Sequence, residues 1–407
     1  MTMAADKQDK VLNCSSEREQ SGTCSSSAER EKNQGKIFLN VPTLRFPEFK
    51  GEWNDYRLRD LCTFHSGGTP SIDNVEYWEG EIPFVSAVAM HNTHIEKTPL
   101  TLTEKGLRNG SKQLEAGNLL LLVRGSMLWN KIPICYNDVD VAFNQDVKGI
   151  VPNSKTTSLF LLNWIQSHEN RIKYMVTGTG IGAGKLDSED LLALNVKLPS
   201  LNEQKKIEKF LSLINERIET QIRIIDKLQS LMKGLAEHLT AFTPNTKIAD
   251  CLNCHSSILQ ENQVKNEGKY KVYGANGICG YSDSPAILED SILIVKDGSG
   301  VGNVSYACGE YSVIGTSNYL TAKSGYSLKY LYYCLMIFNF VPYKTGMAIP
   351  HIYFKDYRKA LIYCPSLDKQ EQIATLLSKI ECKIEAEKTI TDSYQQQKRF
   401  LLQSMFI

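Results

Sequence analysis

The 407-residue sequence has no apolar run near the 18 residues that would mark a membrane-spanning helix, which argues against a helical membrane protein. It also lacks the apolar stretch of a signal peptide, since Met1 to Gly35 is rich in Ser, Glu, Lys and Gln. The expectation is a cytoplasmic chain with a disordered leader over residues 1–40. Catalytic groupings are missing too. The seven histidines are dispersed, and no Ser-His-Asp ordering, carboxylate pair or His/Asp metal cluster stands out. No catalytic residue, metal or cofactor is assigned to this chain.

Charge of one sign is also scarce. The net charge is +1, with 13 Lys/Arg against 17 Asp/Glu over residues 51–190 and 11 against 9 over 247–362. Bulk charge therefore neither demands nor excludes nucleic acid, and any such contact must rest on local clusters. The 11 cysteines are scattered rather than gathered into a secreted framework, as expected for thiols in a reducing compartment. One spacing stands apart: Cys251-Leu252-Asn253-Cys254-His255 matches the C-x-x-C-H of haem attachment. A zinc site would need one more ligand from elsewhere, and a chance spacing is the third reading.

What the sequence does contain is one long helix written twice. The first copy opens at Pro199-Ser200-Leu201-Asn202-Glu203-Gln204 and runs to about Leu239; the second opens at Pro365-Ser366-Leu367-Asp368-Lys369-Gln370 and runs to about Met405. A shift of 166 residues carries Ile207 onto Ile373, Leu211 onto Leu377, Ile214 onto Ile380 and Ile218 onto Ile384. Alternate steps of four and three trace a seam from Ile207 through Ile214, Gln221, Leu228 and Leu235, and a weaker one from Ile373 through Ile380, Glu387, Tyr394 and Leu401. This is a coiled-coil pattern, and each proline suits a helix start. At about 1.5 Å per residue each helix spans roughly 58 Å, long for an ordinary core helix. Two unrelated amphipathic helices on local cores are the alternative. An antiparallel pair centred on Gln221 and Glu387 would set Ile207 against Leu401, Ile214 against Tyr394, Leu228 against Ile380 and Leu235 against Ile373. Further apolar residues flank the seams: Phe210, Leu213, Ile222, Ile224 and Leu231 in the first helix, Leu376 and Ile390 in the second. These exceed what two helices can cover and point to a bound partner.

The order of mixed region, helix, mixed region, helix predicts an α+β chain of two similar mixed α/β domains, each followed by a long helix. The divisions are 41–193 and 243–360 for the domains, and 194–242 and 361–407 for the helices. In the first domain, Ser66-Gly67-Gly68-Thr69-Pro70 is a turn, either plain or one whose amides contact an anion or base edge. The apolar strand Asn118–Val123 ends in Arg124-Gly125-Ser126, where the guanidinium serves either a base or phosphate contact or a structural ion pair. Val141–Val147 is expected to be a strand carrying Asn144 and Gln145, amides that suit adenine or a turn. Leu159–Met175 is expected to be one helix. The glycine-rich loop Thr177–Lys185 lacks the spacing of a nucleotide-binding loop. In the second domain, Tyr273-Gly274-Ala275-Asn276-Gly277 holds an Asn-Gly turn, and Asp290–Gly300 repeats the apolar strand ending in a basic residue, Gly and Ser, through Lys296-Asp297-Gly298-Ser299. Tyr343-Lys344-Thr345-Gly346 falls on Thr177–Gly180 under the shift of 166.

Over about residues 41–407 the chain resembles the DNA specificity subunit of type I restriction-modification enzymes. The resemblance rests on Leu44-Arg45-Phe46-Pro47-Glu48-Phe49 before Trp53, on Ser66–Pro70, on Phe143-Asn144-Gln145-Asp146, on Tyr273–Gly277, and on the paired Pro-Ser-Leu-x-x-Gln-x-x-Ile openings. It implies a non-catalytic subunit with two target-recognition domains, each reading half of a bipartite double-stranded DNA target, held apart by antiparallel helices. It also implies docking of methyltransferase subunits that use S-adenosylmethionine, and recruitment of ATP-driven restriction subunits. The DNA-contact candidates are Ser66, Gly67, Gly68, Thr69, Arg124, Ser126, Asn144, Gln145, Lys185, Tyr273, Asn276, Lys296, Ser299, Lys344 and Thr345. A coiled-coil scaffold with two protein-binding domains and no DNA is the rival reading.

Overall fold

The computed structural model describes residues 40–180, 182–240, 242–346 and 349–407, so the leader expected over 1–40 lies outside it apart from Asn40. Two mixed α/β regions each run into one long helix. The first region begins with β1 (Asn54–Arg57), β2 (Cys62–Ser66), β3 (Trp78–Val85), β4 (His94–Ile95) and β5 (Leu100–Leu102). Helix α1 (Glu104–Gly110) leads to β6 (Lys112–Leu114), β7 (Leu119–Leu122), β8 (Arg124–Gly125), β9 (Ile134–Asn137), β10 (Val141–Phe143) and β11 (Val147–Pro152). Then come α2 (Ser158–Ser167), α3 (Glu169–Lys173), the pair β12 (Thr177–Gly178) and β13 (Gly184–Lys185), α4 (Ser188–Leu192) and β14 (Asn195–Leu198). The long helix α5 (Leu201–Thr240) follows.

The second region repeats the sequence of parts: β15 (Thr246–Lys247), α6 (Ile248–Cys251), β16 (Leu252–Ser256), β17 (Tyr270–Gly274), β18 (Gly277–Ser282) and β19 (Ser291–Val295). It continues with β20 (Val304–Ala307), β21 (Tyr311–Val313), β22 (Ser317–Ala322), α7 (Leu328–Met336), α8 (Phe354–Tyr357) and β23 (Leu361–Ile362) before α9 (Leu367–Met405). The main sheets have the same strand order, β2-β11-β7-β9 with β4 added at the edge, and β16-β22-β19-β20. The apolar strands β7 and β19 lie inside these sheets and are buried throughout, which is why their sequences do not alternate. In both regions a parallel pair, β3 with β10 or β17 with β21, lies within a smaller second sheet, β5-β3-β10-β6 or β18-β17-β21.

The glutamine of each Pro-Ser-Leu-x-x-Gln opening joins a long helix to its own region. The Gln204 side chain is fully buried; its Nε2 donates to Pro199 O and Lys155 O at 3.0 Å each, and its Oε1 accepts from Thr156 Oγ1 at 3.0 Å and the Thr157 amide at 3.3 Å. Gln370 repeats this, donating to Pro365 O at 2.9 Å and accepting from the Ser327 amide at 3.0 Å. Thr157 and Ser327 are the N-caps of α2 and α7, so one amide side chain ties the start of the long helix to the start of the buried one.

The Leu44–Phe49 segment straps the first region to both long helices. Arg45 forms a forked pair with the buried Glu203, Nε to Oε1 at 2.7 Å and Nη2 to Oε2 at 2.8 Å, and Trp53 Nε1 adds a bond to Oε1 at 3.3 Å. The Leu44 amide donates to Ser404 O at 2.9 Å. Leu401, Leu402, Met405 and Phe406 from the end of the chain belong to the same apolar core as Ile207, Leu211 and Ile214 from the start of α5. At the other end, Ile373, Ala374 and Leu377 from the start of α9 share a core with Ala236. Between these ends, Gln221 Nε2 donates to Glu387 Oε2, both side chains being buried.

Two expected elements are divided. The helix over Leu159–Met175 breaks at His168, where Ser167 Oγ and His168 Nδ1 bond the Trp164 carbonyl, at 2.7 and 3.0 Å, alongside the His168 amide. The strand over Val141–Val147 breaks at Asn144, whose Oδ1 accepts from the Asp146 amide at 3.2 Å and turns the chain from one sheet into the other.

Gln370→Ala should leave the part-buried Ser327 amide and Pro365 carbonyl without their partner. The expected loss is about 1–3 kcal/mol, read from denaturant unfolding of the full chain, without loss of helical content.

Candidate nucleic-acid interface

Strand β7 runs on through Val123 into β8, which opens with Arg124, and the backbone turns at once on Gly125, whose φ of 148° suits glycine. The hairpin β12–β13 closes over this corner, with Lys185 directly opposite Arg124 and Gly184 opposite Gly125. Opposed residues of an antiparallel pair share a face, so the two cations project together. Arg124 Nη1 lies 4.0 Å from Asp146 Oδ1, and Lys185 Nζ lies 3.7 Å from Asp187 Oδ2. Arg124, Gln145, Lys148 and Lys185 line one cleft of 320 Å³.

The turn Ser66–Pro70 reaches this corner. Thr69 Oγ1 donates to Gln145 Oε1 at 2.8 Å, and Lys148 Nζ donates to Ser66 Oγ. Gly67 and Gly68 have a packing role: an added Cβ would come within 2.1 Å of Phe143 O and 2.4 Å of Gly110 O respectively, and the Gly68 amide already donates to Phe143 O. The Gly68 amide is thus spent on this packing. Asn144 is occupied by its own turn, whereas Gln145 beside it is exposed. Ser126 is exposed at the start of a short 3-10 turn, Ser126–Trp129. No motif in the sequence marks Lys148 or Trp129, and the fold brings both to this corner. Trp129 Nε1 donates to Gly182 O at 3.0 Å and braces the glycine-rich loop.

In the second region Gly298, at φ 97°, turns the chain after β19. His351 bridges Asp297 on one side and Thr345 on the other, giving three short segments in the arrangement of β8, β13 and β12. A Cβ on Gly302 would lie 3.6 Å from Lys344 Cε, and one on Gly300 would lie 3.8 Å from Ala275 O. The loop after β19 thus gathers Lys344, Thr345, exposed Ser299 and the hairpin turn bearing exposed Asn276. One candidate points elsewhere: Tyr273 packs edge-on against the buried Tyr311, ring centroids 5.4 Å apart. Lys296 is half-buried, and its charge opposes the rise of the Cys254 thiol, which burial pushes up to about 11.

Cys251, Cys254 and His255 do not converge. The buried Cys251 thiol donates to Ile248 O at 3.4 Å, while the His255 ring stacks on Tyr319 at 4.8 Å. Among the described residues, no group of three or more His, Cys, Asp or Glu is placed to hold a metal ion. No helix among them is long and apolar enough to cross a membrane.

On the long helices Leu213, Ile222, Ile224 and Leu231 of α5 and Leu376 and Ile390 of α9 are exposed. Phe210 is instead turned onto Phe46, ring centroids 5.8 Å apart and nearly perpendicular, so it belongs to the strap. Phe400, which the sequence reading did not select, is 62% exposed.

The type I restriction modification DNA specificity domain matches residues 50–230 and 246–394, and the chain belongs to this family. It is 28% identical over 198 residues to the type I restriction enzyme EcoR124I/EcoR124II specificity subunit of Escherichia coli, covering 48% of this chain and 45% of that one. It is 26% identical over 186 residues to the MjaIX specificity subunit of Methanocaldococcus jannaschii, covering 44% and 42%. These matches span less than half the length of either relative. The crystal structure of a type I restriction-modification S subunit from M. genitalium has the same fold, with a TM-score of 0.57 at 18% identity, covering 90% of this chain and 99% of that one.

Proposed function

We propose that this chain is the non-catalytic, sequence-reading subunit of a type I restriction-modification complex. Residues 41–193 and 243–360 are its two target-recognition domains, and each reads one half of a bipartite duplex. The observation that carries the reading is the strand-end corner present once in each region, at Arg124 and Lys185 and again around Gly298, Lys344 and Thr345. Donors such as Arg124 and the free amide end of Gln145 suit base edges or phosphates, and Lys148, Lys185 and Lys344 suit phosphates. Protein-only scaffolding needs no such donors at both corners.

The helices over 194–242 and 361–407 act as an antiparallel coiled coil that sets the spacing. Supporting this, the start of α5 and the end of α9 share one core, the reverse ends share another, and Gln221 meets Glu387 between them. Arg217 Nη1 reaches Tyr394 Oη at 3.4 Å in the same sense. A buried polar pair costs stability yet selects one register. Leu213, Ile224 and Leu231 lie about three and five turns apart on one stripe of α5, beside the seam. That stripe, with Ile222, Leu376 and Ile390, is the docking surface for methyltransferase subunits, and restriction subunits join the complex they form.

Binding to bipartite duplexes should weaken steeply as salt rises, because phosphate contacts release counterions. Arg124→Ala should relax one base position in the half-site of the first domain by about 1–3 kcal/mol and leave the other half unchanged. Gel shifts on duplexes varied one half at a time read both effects. Salt-insensitive association, or none, would favour the scaffold alternative.

Leu231→Lys should release the methyltransferase chains while leaving the helical content of the chain intact. Co-purification together with circular dichroism measures this.

Adding one heptad to both helices moves the domains roughly 10 Å apart, about three base pairs, and turns the second site about a third of the way around the duplex. The lengthened chain should lose its original target and accept a longer spacer only weakly. Methylation mapping of the host genome reads the outcome, and unchanged methylation at the original spacer would refute a ruler.

A further inference from the structure

The two strand-end corners correspond bond for bond. In the first, the amides of Val123 and Arg124 both donate to Asp146 O, at 2.8 and 3.3 Å, and the Leu186 amide donates to Val123 O at 2.8 Å. In the second, the amides of Lys296 and Asp297 both donate to Thr316 O, at 2.9 and 3.3 Å, and the Ile352 amide donates to Lys296 O at 2.9 Å. Lys185 stands opposite Arg124 and Thr177, and His351 opposite Asp297 and Thr345. The next residue on each strand is a glycine at positive φ, Gly125 or Gly298. The backbone therefore equates Arg124 with Asp297, Lys185 with His351 and Asp146 with Thr316. Lys296 takes the place of the nearly buried Val123, so the basic residue next to the second glycine is not the counterpart of the arginine.

This correspondence inverts the chemistry. Arg124 can only donate, and it has Lys185 beside it and Asp146 at 4.0 Å. Asp297 can only accept when ionised, and Thr316, in the place of Asp146, carries no charge. The His351 ring directs Nδ1 to Ile349 O at 3.3 Å, and Tyr353 packs against it with centroids 5.0 Å apart. A carboxylate gains nothing from a phosphate. In the major groove its partners are the exocyclic amines, N6 of adenine and N4 of cytosine.

The geometry points to Asp297 as a specificity-determining residue of the second domain, accepting from an exocyclic base amine at the position where Arg124 offers donors to the first half-site. This rests on the DNA-reading function proposed above. The two halves of the target then differ in kind at these matched contacts: an acceptor-bearing base such as guanine under Arg124, and an amine-bearing base under Asp297.

The test uses the complex purified with its methyltransferase chains from the producing cell. Its binding is measured on duplexes in which each base pair of both half-sites is varied in turn, with Asp297→Ala, Asp297→Asn and Arg124→Gln. Wild type should prefer an amine-bearing base at one position of the second half by roughly 5- to 100-fold. Asp297→Ala should abolish that preference and leave the first half unchanged, while Arg124→Gln does the reverse. If the base is cytosine, Asp297→Asn should weaken the preference as alanine does; if it is adenine, asparagine should retain it, since Asn pairs with N6 and N7. A uniform gain or loss on all sequences would reduce Asp297 to a charge felt by the phosphates and overturn the proposal. Unaltered preference in Asp297→Ala would overturn it as well. A wild-type complex that does not discriminate between duplexes would remove the DNA-reading function itself, and this inference with it.

Discussion

Two buried glutamines hold this molecule in its shape. Gln204 and Gln370 each stand one turn inside a long helix and spend their side-chain amide on the carbonyl of the proline before it and on the cap of the neighbouring buried helix. A buried amide is costly unless its donors and acceptor are paired, so each can be accommodated in one geometry only. That geometry fixes the direction in which the long helix leaves its region. The fork of Arg45 on the buried Glu203, and the insertion of Leu401, Leu402 and Met405 into the first core, then bring the far end of the chain back to the beginning. Positions of the strand-end corners relative to the helices follow from these ties.

The near-neutral composition is compatible with this arrangement because the charges that matter are few and are placed by strand pairing. Lys185 meets Arg124 through a two-residue ladder, although 61 residues separate them. Such a corner concentrates positive charge within one face while the surrounding domain stays acidic, and contact at short range is governed by the local groups rather than the sum. The second corner is built on the same ladder with different side chains, Asp297 and His351. Conserving a backbone while exchanging its termini is a way for one scaffold to present unlike surfaces.

Helix length and position were legible because prolines mark both starts and an apolar seam, weaker in the second copy, carries the same spacing through each helix. The buried strands β7 and β19 were legible as unbroken apolar runs. What misled was local: Asn144 looked like part of a strand, and its side chain took the Asp146 amide instead. Ser167 and His168 broke a helix that periodicity carried through, by bonding one carbonyl. Phe210 sat where an exposed docking residue would sit, but Phe46, far away in the chain, covers it. Lys148 and Trp129 had no motif to flag them, since each matters only through neighbours that the fold supplies.

The sequence by itself determined the two helices, the order of regions between them and the polar positions at mid-helix, because these depend on periodicity and on residues near one another in the chain. Tertiary structure alone decided which residues share a corner, and that Arg124 answers to Asp297 rather than to Lys296. The reason is geometric: a one-residue change in strand register exchanges every side chain between faces. Register across long separations is set by backbone hydrogen bonds, such as those to Asp146 O and Thr316 O, that leave no mark in the residues they join.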